Sequence, residues 1–384
     1  MTGWSLLALV LLIPVVSGSA FSVLTVLATW RFYTRRSAIS AVALPPVTVL
    51  KPVYGLDREL EPGLRSFCEQ DYPELQIVMS LQRPDDPALP LLRTLEAEYP
   101  ARVTVVIGAS PPSVNGKVQN MVIGMTAARH AHLVVSDSDV HAPRDYLQRM
   151  VAPLADANIG FVCSLYRIRG ARNLAERLDL LSINADFMPS VIFTYLSRIA
   201  IFCLGASIAF RRADLEAVGG MADFADYLVE DHEFGRRLHE RGLDVCLLPL
   251  TIDLTPDYAD LKAWWRHQVY WDQNTRAANL AGFALTILTR AVPFALLYAL
   301  ASGCSAGGLM VLAGAVTIRI ISAALVSAIA RDGETLRALP WLPLRDVLAL
   351  VSWALALTRN TFEWRGNTFK LTRRGRIVPR DEAA

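Results

Sequence analysis

Apolar residues are concentrated at the two ends of the chain, and the central part alternates between short apolar stretches and amphipathic stretches. The first apolar run, residues 5–29, contains no charged side chain. As a helix it would be roughly 37 Å long, which is enough to cross a bilayer. Arg31, Arg35 and Arg36 follow, so we predict a membrane anchor at residues 1–30 with the later residues in the cytoplasm. A signal peptide is the alternative, because small residues stand at 17–20.

Three further apolar segments lie late in the chain, at about residues 280–301, 307–330 and 341–357. The first two carry Arg290 and Arg319. A charge at membrane depth is costly, so we expect these side chains to face partner helices or a polar cavity rather than lipid.

The third of these segments is interrupted by Arg345-Asp346, and the apolar run that remains, residues 347–357, is too short to span a bilayer. The tail that follows is basic, with Arg365, Lys370, Arg373, Arg374, Arg376 and Arg380. A basic tail is expected in the cytoplasm, which requires an even number of crossings before it. We therefore predict a membrane region at 279–360, with two crossings plus a re-entrant or interfacial helix, and a basic cytoplasmic tail at 361–384.

The central region reads as alternating strands and helices. Short β-branched runs predict strands at 47–50, 75–81, 103–107, 133–136 and 159–165. Helical patterns lie between them, around 60–69, 88–99, 117–130 and 144–156. This alternation predicts an α/β fold with a mostly parallel sheet, in a cytoplasmic domain that we place at 31–278.

Composition narrows the class of protein. Hydrophobic residues make up 53% of the chain and the mean hydropathy is +0.32, which is high for a soluble enzyme. The net charge of +2 predicts no nucleic-acid partner. Five scattered cysteines without a C-x-x-C pair argue against a disulfide framework or a zinc site. Neither a P-loop nor a dinucleotide-binding glycine motif is present.

Two carboxylates, Asp137 and Asp139, directly follow the predicted strand at 133–136. In an open α/β sheet, ligands bind outside the carboxyl ends of the strands. A pair of hard oxygen ligands there suits Mg²⁺ or Mn²⁺ carrying a diphosphate. An ordinary Asp-Ser-Asp turn is the alternative.

Each of the other polar clusters also has both a functional and a purely structural interpretation. Asp86, in Pro84-Asp85-Asp86-Pro87, is a candidate to contact a base or ribose, or belongs to a plain turn. Lys117 could neutralise a phosphate with Asn120 on the same helix face, or belong to a solvated helix N-terminus. Glu230-Asp231 opens a predicted helix, where a carboxylate is either a cap or a competent general base.

An aromatic and basic stretch, residues 264–271, precedes the late apolar segments. Its default interpretation is a membrane-interface belt, and the alternative is a surface that closes over a sugar diphosphate.

A set of short motifs is distributed over nearly the whole chain: Leu50-Lys51-Pro52, Gly55, Asp71-Tyr72-Pro73, Asp85-Asp86-Pro87-Ala88, Lys117 with Asn120, Asp137, Gly219-Gly220, Glu230-Asp231 and Trp364-Arg365-Gly366. In this order, and between these apolar segments, they resemble the ceramide glucosyltransferase family. That family, family 21, belongs to the family 2-like inverting glycosyltransferases and includes bacterial hopanoid-associated members. The resemblance implies a GT-A type nucleotide-sugar-binding domain with N- and C-terminal transmembrane helices.

The resemblance also implies roles for single residues. Asp86 corresponds to the family aspartate that contacts the nucleotide, and Lys117 and Asn120 join it in the donor site. Asp137, with Asp139, corresponds to the metal-binding pair that holds Mn²⁺ or Mg²⁺. Asp231 corresponds to the general base.

A further family motif, Q/R-x-x-R-W, is matched by His267-Gln268-Val269-Tyr270-Trp271. Trp271 is kept and is expected to contact the donor, whereas Tyr270 replaces an arginine. Tyrosine offers one neutral hydrogen bond where arginine would pair with phosphate or a carboxylate. Arg266 and Arg276 are the candidates to compensate.

The implied activity is inverting transfer of a hexose or N-acetylhexosamine from a UDP-sugar to a lipid hydroxyl of ceramide type. The expected location is the bacterial inner membrane, with the catalytic domain facing the cytoplasm. Three alternatives are a hopanoid-associated N-acetylglucosamine transferase acting on a polyhydroxylated hopanoid, a processive polysaccharide synthase, and a non-catalytic lipid-binding protein.

Overall fold

The computed structural model describes residues 3–35, 44–109, 113–364, 367–372 and 375–379. Basic residues used in the membrane prediction that lie outside this part of the chain are Arg36, Arg365, Arg373, Arg374 and Arg380. The chain forms two compact units. The helical unit comprises Met1–Arg36, Ile168–Ala200 and Tyr258–Asn360, and the sheet unit comprises Ser37–Arg167, Ile201–Asp257 and Thr361–Ala384.

The α-helices are, in chain order, α1 (Gly3–Thr34), α2 (Leu60–Cys68), α3 (Leu89–Glu98), α4 (Gly116–Met125), α5 (Tyr146–Val151), α6 (Leu174–Ser182), α7 (Met188–Ser197), α8 (Arg212–Ala217), α9 (Glu230–Glu240), α10 (Leu261–Ala278), α11 (Leu280–Leu285), α12 (Ala291–Ala301), α13 (Ala306–Ile329), α14 (Gly333–Ala338) and α15 (Leu342–Thr358). A π-helical turn, Ile183–Phe187, joins α6 to α7.

The strands are β1 (Val47–Pro52), β2 (Leu75–Leu81), β3 (Val103–Ile107), β4 (His132–Ser136), β5 (Ile159–Ile168), β6 (Ser207–Arg211), β7 (Asp244–Leu254), β8 (Thr361–Trp364), β9 (Asn367–Leu371) and β10 (Ile377–Pro379). The first seven form one sheet in the order β3-β2-β1-β4-β6-β5-β7. Neighbours from β3 to β4 run parallel, and β6 is antiparallel to both β4 and β5. The predicted α/β fold with a mostly parallel sheet is confirmed.

The centre of this sheet is buried on both faces. Every residue of β1 and β2 is buried, which explains why both strands read as nearly continuous apolar runs rather than as alternating patterns. Parallel strands bring their carboxyl ends to one edge, so the segments that follow β1, β2 and β4 meet there. Those segments carry Asp86 and Asp137.

The last three strands form a separate antiparallel sheet in the order β10-β9-β8. Phe362 of β8 and Phe369 of β9 are both buried, with their ring centroids 5.7 Å apart. These three strands lie in the segment that the charge pattern described only as a basic tail, and they belong to the sheet unit.

Within the helical unit, α1 packs against α7, α12 and α13. Among the residues that the structure describes, three helical stretches are long and apolar enough to cross a membrane: Leu7–Thr34, Ala306–Ile329 and Gly333–Thr358. A fourth candidate, Leu280–Thr289 with Ala291–Ala301, is bent by 55°. The predicted number of crossings stays a prediction.

The charges of Arg319, Arg345 and Asp346 are paired within the helical unit. Arg319 Nε lies 2.9 Å from Asp346 Oδ2, and Arg345 Nη1 lies 2.7 Å from Asp186 Oδ2. Arg319 therefore faces partner helices, as expected. Because Arg345 and Asp346 are compensated in this way, they do not break α15, and the stretch that looked too short to span belongs to a 26-residue helical segment.

Candidate active site

The Asp137-Ser138-Asp139 turn begins where β4 ends. The Asp137 amide donates to Ala206 O at 3.0 Å, and the Val140 amide closes the turn on Asp137 O at 3.4 Å. Gly63 of α2 lies against the turn, where an added β-carbon would be 2.9 Å from Ser138 O. The turn is therefore held on both sides, and its two carboxylates stand at the carboxyl edge of the sheet.

Lys51, near the end of β1, supports this turn from beneath. Its Nζ donates to Asp137 O at 2.8 Å and to Ser136 Oγ at 3.1 Å, and it lies 3.5 Å from the centroid of the Phe67 ring. Burial lowers the pKa of Lys51 to about 7, although Asp137 and Asp139 act in the opposite direction. Sequence reasoning gave Lys51 no chemical role. The available signal was a lysine inside an otherwise apolar strand.

Lys117 joins two of the predicted clusters. Its Nζ lies 2.8 Å from Asp137 Oδ1 and 3.3 Å from Glu230 Oε1, and it donates to Gly205 O at 3.1 Å. Burial disfavours the ammonium, but the charges of Asp137 and Glu230 outweigh it and raise the pKa of Lys117. The alternative of a solvated helix terminus is wrong, because Lys117 is the cation shared by the carboxylates of the site.

Asn115 fixes the helix that carries Lys117. Its side-chain oxygen accepts from the Lys117 and Val118 amides at 3.0 and 3.2 Å, which makes it the N-cap of α4. Its Nδ2 donates to Glu230 Oε2 at 3.1 Å and to Tyr227 O at 3.0 Å. Asn115 therefore ties α4 to the start of α9.

Asp231 is the second residue of α9, and its carboxylate accepts from the His232 amide at 2.7 Å. Its side chain lies against Gly205, where an added β-carbon would be 2.9 Å from Asp231 Cγ. Burial, and then the charge of Glu230, raise the pKa of Asp231 to about 7, although Lys117 acts in the opposite direction. A carboxyl group in this range suits general-base catalysis near neutral pH.

A small cavity adjoins Asp231. Its free volume of about 30 Å³ has room for roughly one water. Lys117, Glu230 and Asp231 are among its lining residues, and most of the other lining residues are apolar, including Phe210 and Phe234.

Asp86 occupies a turn at the same edge of the sheet. Its carboxylate accepts from the Gly55 amide, 3.1 Å from both oxygens, and from the Ala88 amide at 2.9 Å. The neighbouring Asp85 is exposed and paired with Arg83. Asn120 is buried and donates to Val53 O at 2.7 Å, two residues before Gly55. Contacts of Asp86 and Asn120 with a nucleotide remain predictions.

The donor set of the turn fits a divalent cation that also binds phosphate. Burial and the charge of Asp137 raise the pKa of Asp139 to about 6, so the Asp139 carboxylate lacks sufficient compensation from its protein partners. In the described part of the chain, no three His, Cys, Asp or Glu side chains are grouped to hold a metal ion. Mg²⁺-type sites often use one or two carboxylates and take further ligands from substrate phosphates and water.

The aromatic stretch predicted near the donor lies on α10 of the helical unit. The Trp271 ring packs 5.4 Å from Phe187 and 5.9 Å from His267. His267 shares a 2.7 Å hydrogen bond with Tyr258 OH, and burial lowers its pKa to about 4, so it is neutral near pH 7. Gln268 accepts from Ser182 at 2.9 Å.

Among the candidates to compensate for Tyr270, Arg266 is exposed. The Arg276 guanidinium is engaged by Leu357 O and Asn360 Oδ1 at the end of α15. The predicted contact of Trp271 with the donor stays a prediction.

The sequence model described as glycosyl transferase family 21 matches residues 10–377. Ceramide glucosyltransferase 1 of Caenorhabditis elegans is 26% identical over 208 residues, which cover 52% of this chain and 43% of that protein. The ceramide glucosyltransferase of Komagataella phaffii is 30% identical over 129 residues, covering 32% of this chain and 25% of that protein. The matches thus span less than half the length of these curated relatives.

A solved structure with a similar fold is the mannosyltransferase PcManGT from Pyrobaculum calidifontis in complex with GDP-Man and Mn²⁺. It superposes with a TM-score of 0.53 at 18% identity, covering 90% of this chain and 97% of that one. This similarity confirms the expected glycosyltransferase fold. Together with a family match over almost the entire sequence, it identifies the chain as a member of glycosyl transferase family 21.

Proposed function

We propose that this protein transfers a hexose or N-acetylhexosamine from a UDP-sugar to a lipid hydroxyl, with inversion at the anomeric carbon. The observation that carries the proposal is the cluster around Lys117, which brings Asp137 from the end of β4 together with Glu230 at the start of α9. Membership of family 21 and the similarity to ceramide glucosyltransferases support the same assignment.

The donor diphosphate binds at the carboxyl edge of the sheet, beside the Asp137-Ser138-Asp139 turn. Asp137 and Asp139 would hold a Mg²⁺ or Mn²⁺ ion, which would supply positive charge to offset that of the diphosphate leaving group. Lys117 holds the Asp137 carboxylate from one side, and Lys51 holds the backbone of the turn from beneath. Asp86 lies at the same edge, where it contacts the nucleoside.

Asp231 removes the proton of the acceptor hydroxyl. The acceptor oxygen forms a bond to the anomeric carbon on the face opposite the leaving group, and the bond from that carbon to the diphosphate oxygen breaks. UDP leaves with the electron pair, and the proton stays on the Asp231 carboxylate. A direct displacement of this kind gives a β-linked product from an α-linked donor. The pKa near 7 lets Asp231 be ionised enough to act and basic enough to accept a proton.

The acceptor is a lipid. Three helical stretches of sufficient length and hydropathy to cross a bilayer support a membrane-bound enzyme. The curated relatives named above are ceramide glucosyltransferases, which makes a ceramide-type alcohol the first acceptor to test.

The test uses the purified full chain in lipid vesicles with Mn²⁺. UDP-glucose and UDP-N-acetylglucosamine are each supplied with vesicles containing ceramide or a polyhydroxylated hopanoid, and lipid products are identified by mass spectrometry.

With the wild-type protein, we expect one lipid to gain a single sugar. The Asp231→Asn variant forms at least about 100-fold less product. Asp85→Asn, a change of an exposed carboxylate, serves as the matched control and keeps full activity. A polymeric product, or activity in Asp231→Asn within about tenfold of the wild type, contradicts the proposal.

A further inference from the structure

The start of α9, which carries Glu230 and Asp231, has no cap of its own. The N-cap position is Val229, whose side chain cannot accept a hydrogen bond from the first turn. An N-terminal turn without a side-chain cap depends on other contacts for its register. Besides the contacts of its own carboxylate with the His232 amide and Gly205, the position of Asp231 therefore depends on what holds the segment just before it, residues 226–228.

That segment is held by the C-terminal end of the chain. The Leu228 amide donates to Gly375 O at 2.9 Å, and the Ile377 amide donates to Asp226 O at 2.8 Å. Tyr227 and Arg376 form an antiparallel bridge between these two bonds. Residues 226–228 are thus paired like a strand with the segment that leads into β10.

Side chains reinforce this pairing. The Tyr227 ring is buried, with the guanidinium carbon of Arg376 5.2 Å and that of Arg237 5.7 Å from its centroid. Arg237 belongs to α9 and is fixed by Glu233 at 2.8 Å. Tyr227 therefore links a cation of the C-terminal segment to a cation of the helix that carries Asp231.

The opposite side of the same segment contacts the active site. Tyr227 O accepts from Asn115 Nδ2, and the same nitrogen donates to Glu230 Oε2. The Asn115 amide also donates to Ala225 O at 2.8 Å. A shift of Tyr227 would thus disturb Asn115 and Glu230 together, and through Glu230 the ammonium of Lys117.

We propose that residues 375–377 act as a strap that positions Glu230 and Asp231 for the transfer reaction, with Arg376 and Tyr227 as positioning residues. The strap does not touch the reacting atoms. It fixes the register of the first turn of α9, where the N-cap residue Val229 forms no side-chain hydrogen bond. This role rests on the proposed function, since it assumes that Asp231 is the base.

The first experiment compares Arg376→Ala, Arg376→Lys and Arg241→Ala in the full chain. Arg241 is exposed at the other end of α9, so its loss controls for the removal of one surface charge. Loss of a cation over an aromatic ring shifts the equilibrium that holds Tyr227 in place by roughly fivefold. Arg376→Ala should lower kcat about fivefold and leave KM for the UDP-sugar within about twofold. Arg376→Lys should recover most of kcat, and Arg241→Ala should match the wild type.

A second measurement does not depend on activity. Hydrogen–deuterium exchange of the peptide covering residues 226–233 should be faster in Arg376→Ala than in the wild type, and unchanged in Arg241→Ala. Gly375→Ala attacks the same pairing through the backbone, because Gly375 has φ +75°, a conformation that other residues adopt with strain. Gly375→Ala should also speed exchange of residues 226–233, and it replaces Arg376→Ala in the test if that variant does not fold.

These two readouts separate the strap from the proposed function. Faster exchange with an inactive wild-type protein would leave the strap in place and reject the transferase. If Arg376→Ala exchanges faster but keeps the wild-type kcat, the positioning role is rejected. A change in KM alone also rejects it. If both the exchange rate and kcat of Arg376→Ala match those of the wild type, the strap itself is rejected.

Discussion

The ammonium of Lys117 lies 2.8 Å from the carboxylate of Asp137, so a helix N-terminus and a strand end are joined by one ion pair. The same ammonium reaches Glu230 at 3.3 Å. The groups proposed to hold the donor and the groups proposed to activate the acceptor therefore share one cation. This arrangement makes the stability of the site and its chemistry depend on the same residue.

Replacing Lys117 should destabilise the protein. Lys117→Met removes the cation between Asp137 and Glu230 and leaves both carboxylates uncompensated. We expect the free energy of unfolding to fall by about 1–3 kcal/mol, less than for a fully buried pair because the Asp137 side chain is 33% exposed. Thermal denaturation followed by tryptophan fluorescence measures the effect. Lys117→Arg, which keeps the charge, should lose much less, and a Lys117→Met variant as stable as the wild type would contradict the ion-pair network.

The pH dependence of the reaction should report Asp231. Its pKa is raised to about 7, and a general base must be ionised, so activity is present above that pH and is lost as the pH falls. We expect kcat/KM to decline about tenfold per pH unit below about 7. Because Glu230 and Asp231 interact, the measured value belongs to the pair. A limb near pH 4, the ordinary range for a carboxyl group, would show that Asp231 does not act as proposed.

Gly205 should be sensitive to the smallest enlargement. In Gly205→Ala the new β-carbon would lie 2.9 Å from Asp231 Cγ, so the carboxylate must move. A displacement of this size at a catalytic group lowers kcat by about 10- to 100-fold, while binding of UDP measured by calorimetry should persist. Gly314→Ala in α13 is the matched control, because nothing lies within 4 Å of the added carbon. Equal activity of the two variants would contradict the placement of Asp231.

Removal of divalent cations should abolish transfer reversibly. Treatment with a chelator should stop product formation, and added Mn²⁺ or Mg²⁺ should restore it. Asp139→Asn should raise the metal concentration needed for half-maximal activity at least about tenfold, because it removes a charged oxygen ligand. Asp85→Asn should leave that concentration unchanged. Full activity in the chelator would remove the metal from the mechanism.

Much of the sheet could be predicted because short β-branched runs in the local sequence mark its strands. The β-branched runs at 47–50, 75–81 and 103–107 lie within strands of the structure, and such runs suit buried parallel strands whatever their partners. The positions of Asp86 and Asp137 then follow from the rule that parallel strands end at one edge.

What could not be predicted depends on contacts between distant parts of the chain. The meeting of Lys117 with Glu230 requires β6 to insert beside β4, and no local pattern encodes that order. Lys51 and Gly205 gain their roles only from the side chains that face them. The C-terminal strands were not predicted because they are only three to five residues long. The segment that pairs with residues 375–377, residues 226–228, lies far away in sequence.

Asp231 is proposed to activate a lipid hydroxyl for direct displacement at the anomeric carbon. The sharpest test of this step is the anomeric configuration of the glycolipid formed from an α-linked UDP-sugar, read from the coupling of the anomeric proton in an NMR spectrum. Direct displacement gives a β-linked product. An α-linked product would require retention of configuration and would rule out direct displacement.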